Sequence, residues 1–171
     1  MAAGMVVGLG AVGTMAVWTD QSTATSGQFT TGSVDLKVGS PAVDNNPPAF
    51  ATDLALANMA PGASKQAVLR VNNAGTLPFT YTLSSTATNN GTGNNQLGAA
   101  MQLEIYAGAT CSGTVINTPA KLDGTNLTAP RPLAAGANES LCFKATLPAG
   151  ANTALQGQTT VATFTLTATN S

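Results

Sequence analysis

The chain has 171 residues, of which only 8% are charged, and its formal net charge is −1. This length predicts one domain with enough apolar residues for a core, and the near-zero charge offers no field to attract nucleic acid or an anionic membrane. The chain also lacks histidine, which excludes Ser-His-Asp and Cys-His relays and H-E-x-x-H zinc sites. We therefore expect no catalytic residue, no metal site and no cofactor.

The amino-terminal segment is apolar. Residues 1–18 carry no charge, are rich in Gly and Ala, and include the small-residue pattern Thr14-Met15-Ala16. These features are typical of a secretory signal, although no Lys or Arg precedes the run. We predict a signal-like segment over residues 1–16 with cleavage between Ala16 and Val17. The alternative is retention as a lipid anchor or as an assembled strand. As a membrane span the segment is marginal, since about 18 residues fall just short of the roughly 20 that a bilayer core requires.

The same segment contains a second motif. Residues 8–13 fit G-x-G-x-x-G, and Asp35 lies near the distance expected for a ribose-binding acid. A dinucleotide site requires a helix that starts at the glycines, whereas residues 14–27 are rich in β-branched and turn-forming types. Nothing later in the chain alternates strand with helix, so we favour the signal.

The remaining sequence reads as strands and turns. Apolar and polar residues alternate with period two in several runs, and Pro61-Gly62 and residues 73–76 are turn signals. The short connection at 73–76 predicts that the runs on either side of it are neighbouring strands. The predicted strands are 33–38, 65–72, 79–83, 101–106, 141–147 and 160–168, with shorter apolar runs at 54–56 and 114–116. About eight strands without a long helix predict an all-β, two-sheet antiparallel β-sandwich over residues 29–171.

Cys111 and Cys142 are the only cysteines. In an exported protein two cysteines predict one disulfide, and closing a loop of this length should stabilise the fold by about 3–4 kcal/mol. A redox or metal role is the alternative, but the sequence has no C-x-x-C.

Three other patterns have weak chemical meaning. Residues 44–46 (Asp-Asn-Asn) offer oxygen atoms for calcium, but without EF-hand spacing. Asn90, Asn126 and Asn138 begin glycosylation acceptor triplets. Ser140 and Lys144 are four residues apart, which on a strand is too distant for a Ser–Lys pair.

Several segments together resemble the TasA/camelysin family. Members have a signal with G-T-x-A before [FW]-[ST]-D, then F-x-[AT]-G-[ST]-[LV]-D-L, a P-G turn and a v-x-N-x-G hairpin. The matching segments here are 13–20 (GTMAVWTD), 29–36 (FTTGSVDL), 56–62 (LANMAPG) and 68–77 (VLRVNNAGTL). The resemblance covers roughly residues 8–83, and the carboxyl half is similar only in style.

The resemblance implies a jelly-roll-like sandwich, secreted by a Gram-positive bacterium to its surface or biofilm matrix. It implies a homopolymeric fibre in which the new amino terminus of one subunit fills a groove in the next. Here the donor segment would be residues 17–28, with Val17, Trp18 and Phe29 as its apolar residues. Accessory matrix proteins are further implied partners, and membrane contact would occur only through an uncleaved 1–16 segment. The proteolytic activity described for camelysin-type members does not carry over to a chain without histidine.

A second function remains open from the residues alone. The long Asn-, Thr- and Gly-rich loops, such as residues 89–95, are also compatible with a monomeric surface module that binds glycan or protein. Burying Val17 and Trp18 would contribute roughly 1.5–3 kcal/mol each. That burial can occur in a neighbouring copy, which favours the fibre, or within the same subunit if residues 17–28 fold back as a first strand.

Overall fold

The computed structural model describes residues 30–45, 50, 54 and 59–170. Residues Thr31–Ser171 form one compact unit. The predicted segments 1–16 and 17–28 lie outside the described residues, and so do the cleavage and donor residues Ala16, Val17, Trp18 and Phe29. The predicted signal, cleavage position and donor segment are therefore not tested by the structure.

Strands make up most of the regular secondary structure in the described part of the chain. The other elements are a single turn of helix, α1 (Leu97–Ala100), two 3-10 turns, Gly93–Asn95 and Thr153–Leu155, and helical conformation at Phe50 and Leu54. The nine strands are β1 (Leu36–Val38), β2 (Ser64–Asn73), β3 (Phe79–Asn89), β4 (Gln102–Ala107), β5 (Asn117–Thr118), β6 (Asn126–Leu127), β7 (Arg131–Leu133), β8 (Asn138–Thr146) and β9 (Thr160–Asn170).

The strands form two antiparallel sheets, which confirms the predicted all-β sandwich. Sheet A has the order β1-β2-β8-β4. In sheet B, β9 pairs with one edge of β3 along its whole length, and β6 and β7 pair with the other edge. Strand β5 extends sheet B beyond β6.

The core lies between the sheets and follows the period-two pattern of the sequence. Phe79, Tyr81 and Leu83 point inward from β3 and are almost fully buried. Phe143 is buried in β8, while its neighbour Lys144 points outward to Glu104. These inward and outward assignments agree with the sequence prediction, because alternate side chains of a strand face opposite sides of its sheet.

The predicted pairing of the strands around residues 73–76 is wrong. Strand β2 belongs to sheet A and β3 to sheet B, so the connection crosses from one sheet to the other. The buried Asn73 side chain holds this crossing: its Nδ2 donates to the carbonyls of Leu77 and Leu133, and its Oδ1 accepts from the amide of Gly75. A short Gly-bearing connection is therefore compatible with a change of sheet when a buried amide satisfies its backbone.

The first predicted strand is shorter than expected. Residues 33–38 alternate in sequence, but only Leu36–Val38 form β1, and Val34 is 40% exposed. The backbone of residues 33–35 instead bonds to the connection after β2, where the amides of Ala74 and Thr76 donate to the carbonyls of Asp35 and Ser33. Alternation alone did not reveal that this segment pairs with a turn.

Candidate functional site

Among the described residues, one lateral side of the sandwich ends in an unpaired strand edge. The outer edge of β9 pairs with no strand in the described part of the chain, although β9 runs for 11 residues. On the same side, sheet A ends in β1, which covers only Val71 to Asn73 of β2. An edge of this length leaves a row of unpaired N–H and C=O groups, which is a template for another strand.

The opposite lateral side is closed by side-chain and backbone bonds. The buried Asn117 of β5 accepts from the amide of Ile105 at 2.7 Å and donates to the carbonyl of Leu103 at 2.9 Å. Its Nδ2 also donates to Thr125 Oγ1 at 2.7 Å. Because Leu103 and Ile105 lie in β4, these bonds join the edge of sheet A to the edge of sheet B.

An apolar groove of about 1140 Å³ runs along the open side. Residues of β9 form one wall, and Val38, Leu69 and Ala145 contribute the other from sheet A. The inward side chains of β9 are only partly buried, in contrast to those of β3. The groove therefore leaves apolar area of the core accessible where a further element of structure would complete the sandwich.

Aromatic rings form the floor of the groove. Phe164 of β9 packs edge-to-face on Phe143 with ring centroids 5.0 Å apart, and on Phe50 at 5.9 Å. Such clusters contribute large apolar area with defined geometry. An apolar side chain entering the groove would meet these rings.

A cluster with charged members lies at the interface of the two sheets and contains Tyr81, Arg131 and Glu139. The Tyr81 hydroxyl donates to Glu139 Oε2 at 2.5 Å, and Arg131 Nε donates to both carboxylate oxygens at 2.9 and 3.0 Å. Arg131 Nη2 also donates to Oε1. Because Glu139 lies in sheet A and its two partners in sheet B, the cluster connects the sheets.

Electrostatics keeps this cluster charged. Burial by itself raises the pKa of Glu139, but the hydrogen bonds from Arg131 and Tyr81 outweigh it and leave the pKa below its ordinary value. Burial and the neighbouring carboxylate raise the pKa of the Tyr81 hydroxyl far above its ordinary value. The two charged groups of the cluster are paired with each other and are only partly exposed, so the arrangement joins the two sheets.

The remaining candidate residues are dispersed. Cys111 and Cys142 form the predicted disulfide, which joins the loop after β4 to β8. Asp44 accepts a bond from Lys37 Nζ at 3.1 Å, so a cation already occupies the neighbourhood where calcium was considered. Within residues 30–45 and 59–170, no three acidic or cysteine side chains converge in a way that could hold a metal ion.

The sequence carried signals for some of these features and not for others. The alternating residues of β9 indicated a strand with one apolar face, but not that its outer edge stays open. The Tyr81–Arg131–Glu139 cluster was missed, because its members are far apart in sequence and no spacing rule connects them.

In the described part of the chain, no helix has the length and apolarity required to cross a membrane. No protein-family model and no curated protein matches this chain. The open groove is therefore the principal feature from which a function can be inferred.

Proposed function

We propose that this protein is a secreted structural subunit of an extracellular surface or biofilm-matrix fibre, assembled by donation of residues 17–28 of one copy into the groove of the next. The observation that carries the proposal is the unpaired 11-residue edge of β9 beside an apolar groove of about 1140 Å³. Strand addition of this kind satisfies the exposed backbone and buries alternate side chains in the groove.

The length of the donor segment matches the groove. Twelve residues in extended conformation span about 40 Å, and the 11 residues of β9 span about 37 Å. Val17 and Phe29 are 12 positions apart and therefore lie on one face of such a strand, with Trp18 and Asp20 on the other. The face that carries Val17 and Phe29 can thus enter the groove without burying a charge.

The geometry of donation leads to a filament. Each copy would carry its donor segment at one place and its acceptor groove at another, so the contact is heterologous and does not close unless a ring forms. A net charge of −1 produces little repulsion between successive copies. The Cys111–Cys142 disulfide supports an oxidising compartment such as the cell exterior.

Two variants test the donor and the acceptor separately. The processed wild-type protein begins at Val17. The first variant is this protein with residues 17–28 deleted. The second is Ala162→Trp, which places an indole in the groove where Ala162 lines it. Ala107→Trp, at an exposed position of β4, is the matched control. In negative-stain electron microscopy we expect filaments from the processed protein and from the control, and none from either test variant.

Mixing the two test variants provides a sharper result. The deletion variant keeps a groove and Ala162→Trp keeps a donor, so an equimolar mixture should form a 1:1 complex, detected by analytical ultracentrifugation, while each alone remains monomeric. Monomers throughout, with unchanged thermal melting, would contradict donation and favour a monomeric glycan- or protein-binding module.

Trp18 is the only tryptophan and reports directly on its own burial. In an extended donor Trp18 faces away from the groove, but it moves from a solvated tail to the surface of the next copy, so its emission should change on assembly in proportion to the filament fraction. A spectrum that is already shifted in dilute monomer and does not depend on concentration would place Trp18 inside its own subunit and contradict the proposal.

A further inference from the structure

The outer face of the β3–β9 pair is a ladder of hydroxyl groups. Ten residues of the two strands point away from the core on this face, and eight of them are threonine. In register they form the pairs Thr80–Thr169, Thr82–Thr167, Ser84–Thr165, Thr86–Thr163 and Thr88–Val161. All but Thr80 and Ser84, which are partly buried, are exposed to solvent. We call these ten residues the threonine face.

The threonine face is regular in two dimensions. The register between β3 and β9 continues through 11 consecutive pairs, from Phe79–Asn170 to Asn89–Thr160, without a bulge. Strand geometry then spaces the side chains by about 4.8 Å across the pair and about 6.8 Å along each strand. The methyl and hydroxyl groups of the threonines are therefore repeated at fixed intervals. Because threonine is β-branched, its χ1 angle is restricted.

The hydroxyls of this face are uncommitted. Within residues 59–170 none of them bonds to another residue, whereas Ser85 and Thr160, which point to the other face, donate to the carbonyls of Leu122 and Thr88. The hydroxyl groups of the threonine face are thus available to an external partner.

The threonine face also carries no charge. The charged residues in strands of the described chain belong to sheet A, apart from Arg131, whose guanidinium is bound to Glu139. A partner of opposite charge therefore gains nothing here. Aromatic platforms for stacking on sugar rings are also missing, because the only exposed large apolar residues in the described part are Val34, Val68 and Val161.

A second copy of the chain is a poor partner for this face. The face measures about 37 Å by about 10 Å, or roughly 360 Å², whereas a stable protein interface buries about 800 Å² on each partner. The remaining class of partner is neutral, repetitive and rich in hydrogen-bonding groups.

We propose that the threonine face binds crystalline water, that is, the surface of ice. The two side-chain intervals are close to the repeats of the oxygen lattice on the prism face of ice, so hydroxyl-bound waters can join that lattice. The methyl groups between them keep these waters ordered because they offer no competing hydrogen bond. Val161, Thr163 and Thr165 of the face also border the groove at the edge of β9, but this function does not depend on fibre assembly.

Ice partitioning tests the proposal on the full chain. All four lysines of the chain lie outside the threonine face, so the protein can be labelled with a fluorophore at amines. Ice is then grown slowly in the solution, and the label is measured in ice and in liquid. We expect at least tenfold enrichment in ice over labelled serum albumin, together with inhibition of ice recrystallisation.

Three variants distinguish binding through the regular side chains of the threonine face from a general effect of surface charge. Thr165→Lys at the centre of the face should reduce enrichment at least tenfold, and Thr165→Ser, which removes only the methyl group, should reduce it severalfold. Gln66→Lys, on the exposed outer face of β2, adds the same charge elsewhere and should retain full enrichment. Equal melting temperatures would show that all variants fold.

Several results would overturn the proposal. The first is a wild-type protein excluded from ice to the same extent as albumin, and the second is full enrichment of Thr165→Lys. Retention on crystalline cellulose or chitin that Thr165→Lys abolishes, without enrichment in ice, would assign the face to a polysaccharide. Self-association that persists without residues 17–28 and is abolished by Thr165→Lys, again without enrichment in ice, would assign it to a second copy. Loss of filaments on deleting residues 17–28 bears on the groove alone.

Discussion

Replacing Glu139 with glutamine removes the negative charge that joins the two sheets while retaining nearly the same shape. The Glu139 side chain is 19% exposed and that of its partner Arg131 is 26% exposed, so solvent screens the pair only partly. Hydrogen bonds to charged groups contribute about 1.5–3 kcal/mol. We therefore expect Glu139→Gln to lower the free energy of unfolding by about 2–3 kcal/mol, which corresponds to a decrease in Tm of about 4–12 °C for a chain of this size.

The chain contains a matched control. Glu104 forms an ion pair with Lys144 at 3.1 Å, but both side chains are about one third exposed, and surface pairs of this kind contribute about 0–1 kcal/mol. Urea denaturation followed by circular dichroism should therefore show a much smaller loss for Glu104→Gln than for Glu139→Gln. Equal losses in the two variants would refute the argument that burial gives the cross-sheet pair its strength.

The pH dependence provides an independent check. Because the pKa of Glu139 is lower in the folded protein than its ordinary value, its contribution is fully present above the unfolded pKa of about 4.3 and is lost as pH falls through the folded pKa. The difference in unfolding free energy between wild type and Glu139→Gln should be constant near pH 7 and should decrease below about pH 4. A difference that stays constant down to pH 2 would show that the carboxylate charge is not the cause.

Two further perturbations address other parts of the fold. Replacing Cys111 and Cys142 with alanine opens a loop with a sequence separation of 31 and should lower the free energy of unfolding by about 3–4 kcal/mol; dithiothreitol should have the same effect on wild type and none on the variant. Asn117→Ala leaves a buried amide and a buried carbonyl of β4 unpaired, with an expected loss of about 2–5 kcal/mol, whereas Asn126→Ala at an exposed site should change stability by less than about 0.5 kcal/mol. Chemical denaturation measures both, and an Asn117→Ala loss no larger than that of Asn126→Ala would show that these bonds do not hold the closed side.

Much of the fold could be predicted from local pattern. The period-two alternation in β2, β3, β4, β8 and β9 identified the strands and their buried faces, because the side-chain period of a strand is a local property. The Pro61-Gly62 turn was likewise readable: Gly62 adopts a φ of +87°, which favours glycine, and its amide donates to the carbonyl of Leu147. The pairing of Cys111 with Cys142 followed from their number alone.

Partner choice and surface availability depended on tertiary structure. Contacts between residues far apart in sequence decide which strands pair with β2 and β3. For this reason the sequence predicted that β2 and β3 are neighbouring strands, although the connection at residues 73–76 crosses between the sheets. The Tyr81–Arg131–Glu139 cluster and the Asn117 bonds between the sheets have the same origin. The alternating threonines of β3 and β9 were visible in the chain, but only the register places them side by side.

The sequence by itself therefore determined the all-β class, the inward and outward residues of each strand and the disulfide, since each depends on neighbours along the chain or on a count of two. The tertiary structure decided that, among the described residues, one side of the sandwich is joined by the Asn117 bonds and the other ends in the unpaired edge of β9. Whether an edge is paired depends on contacts between residues far apart in sequence, which no local pattern encodes.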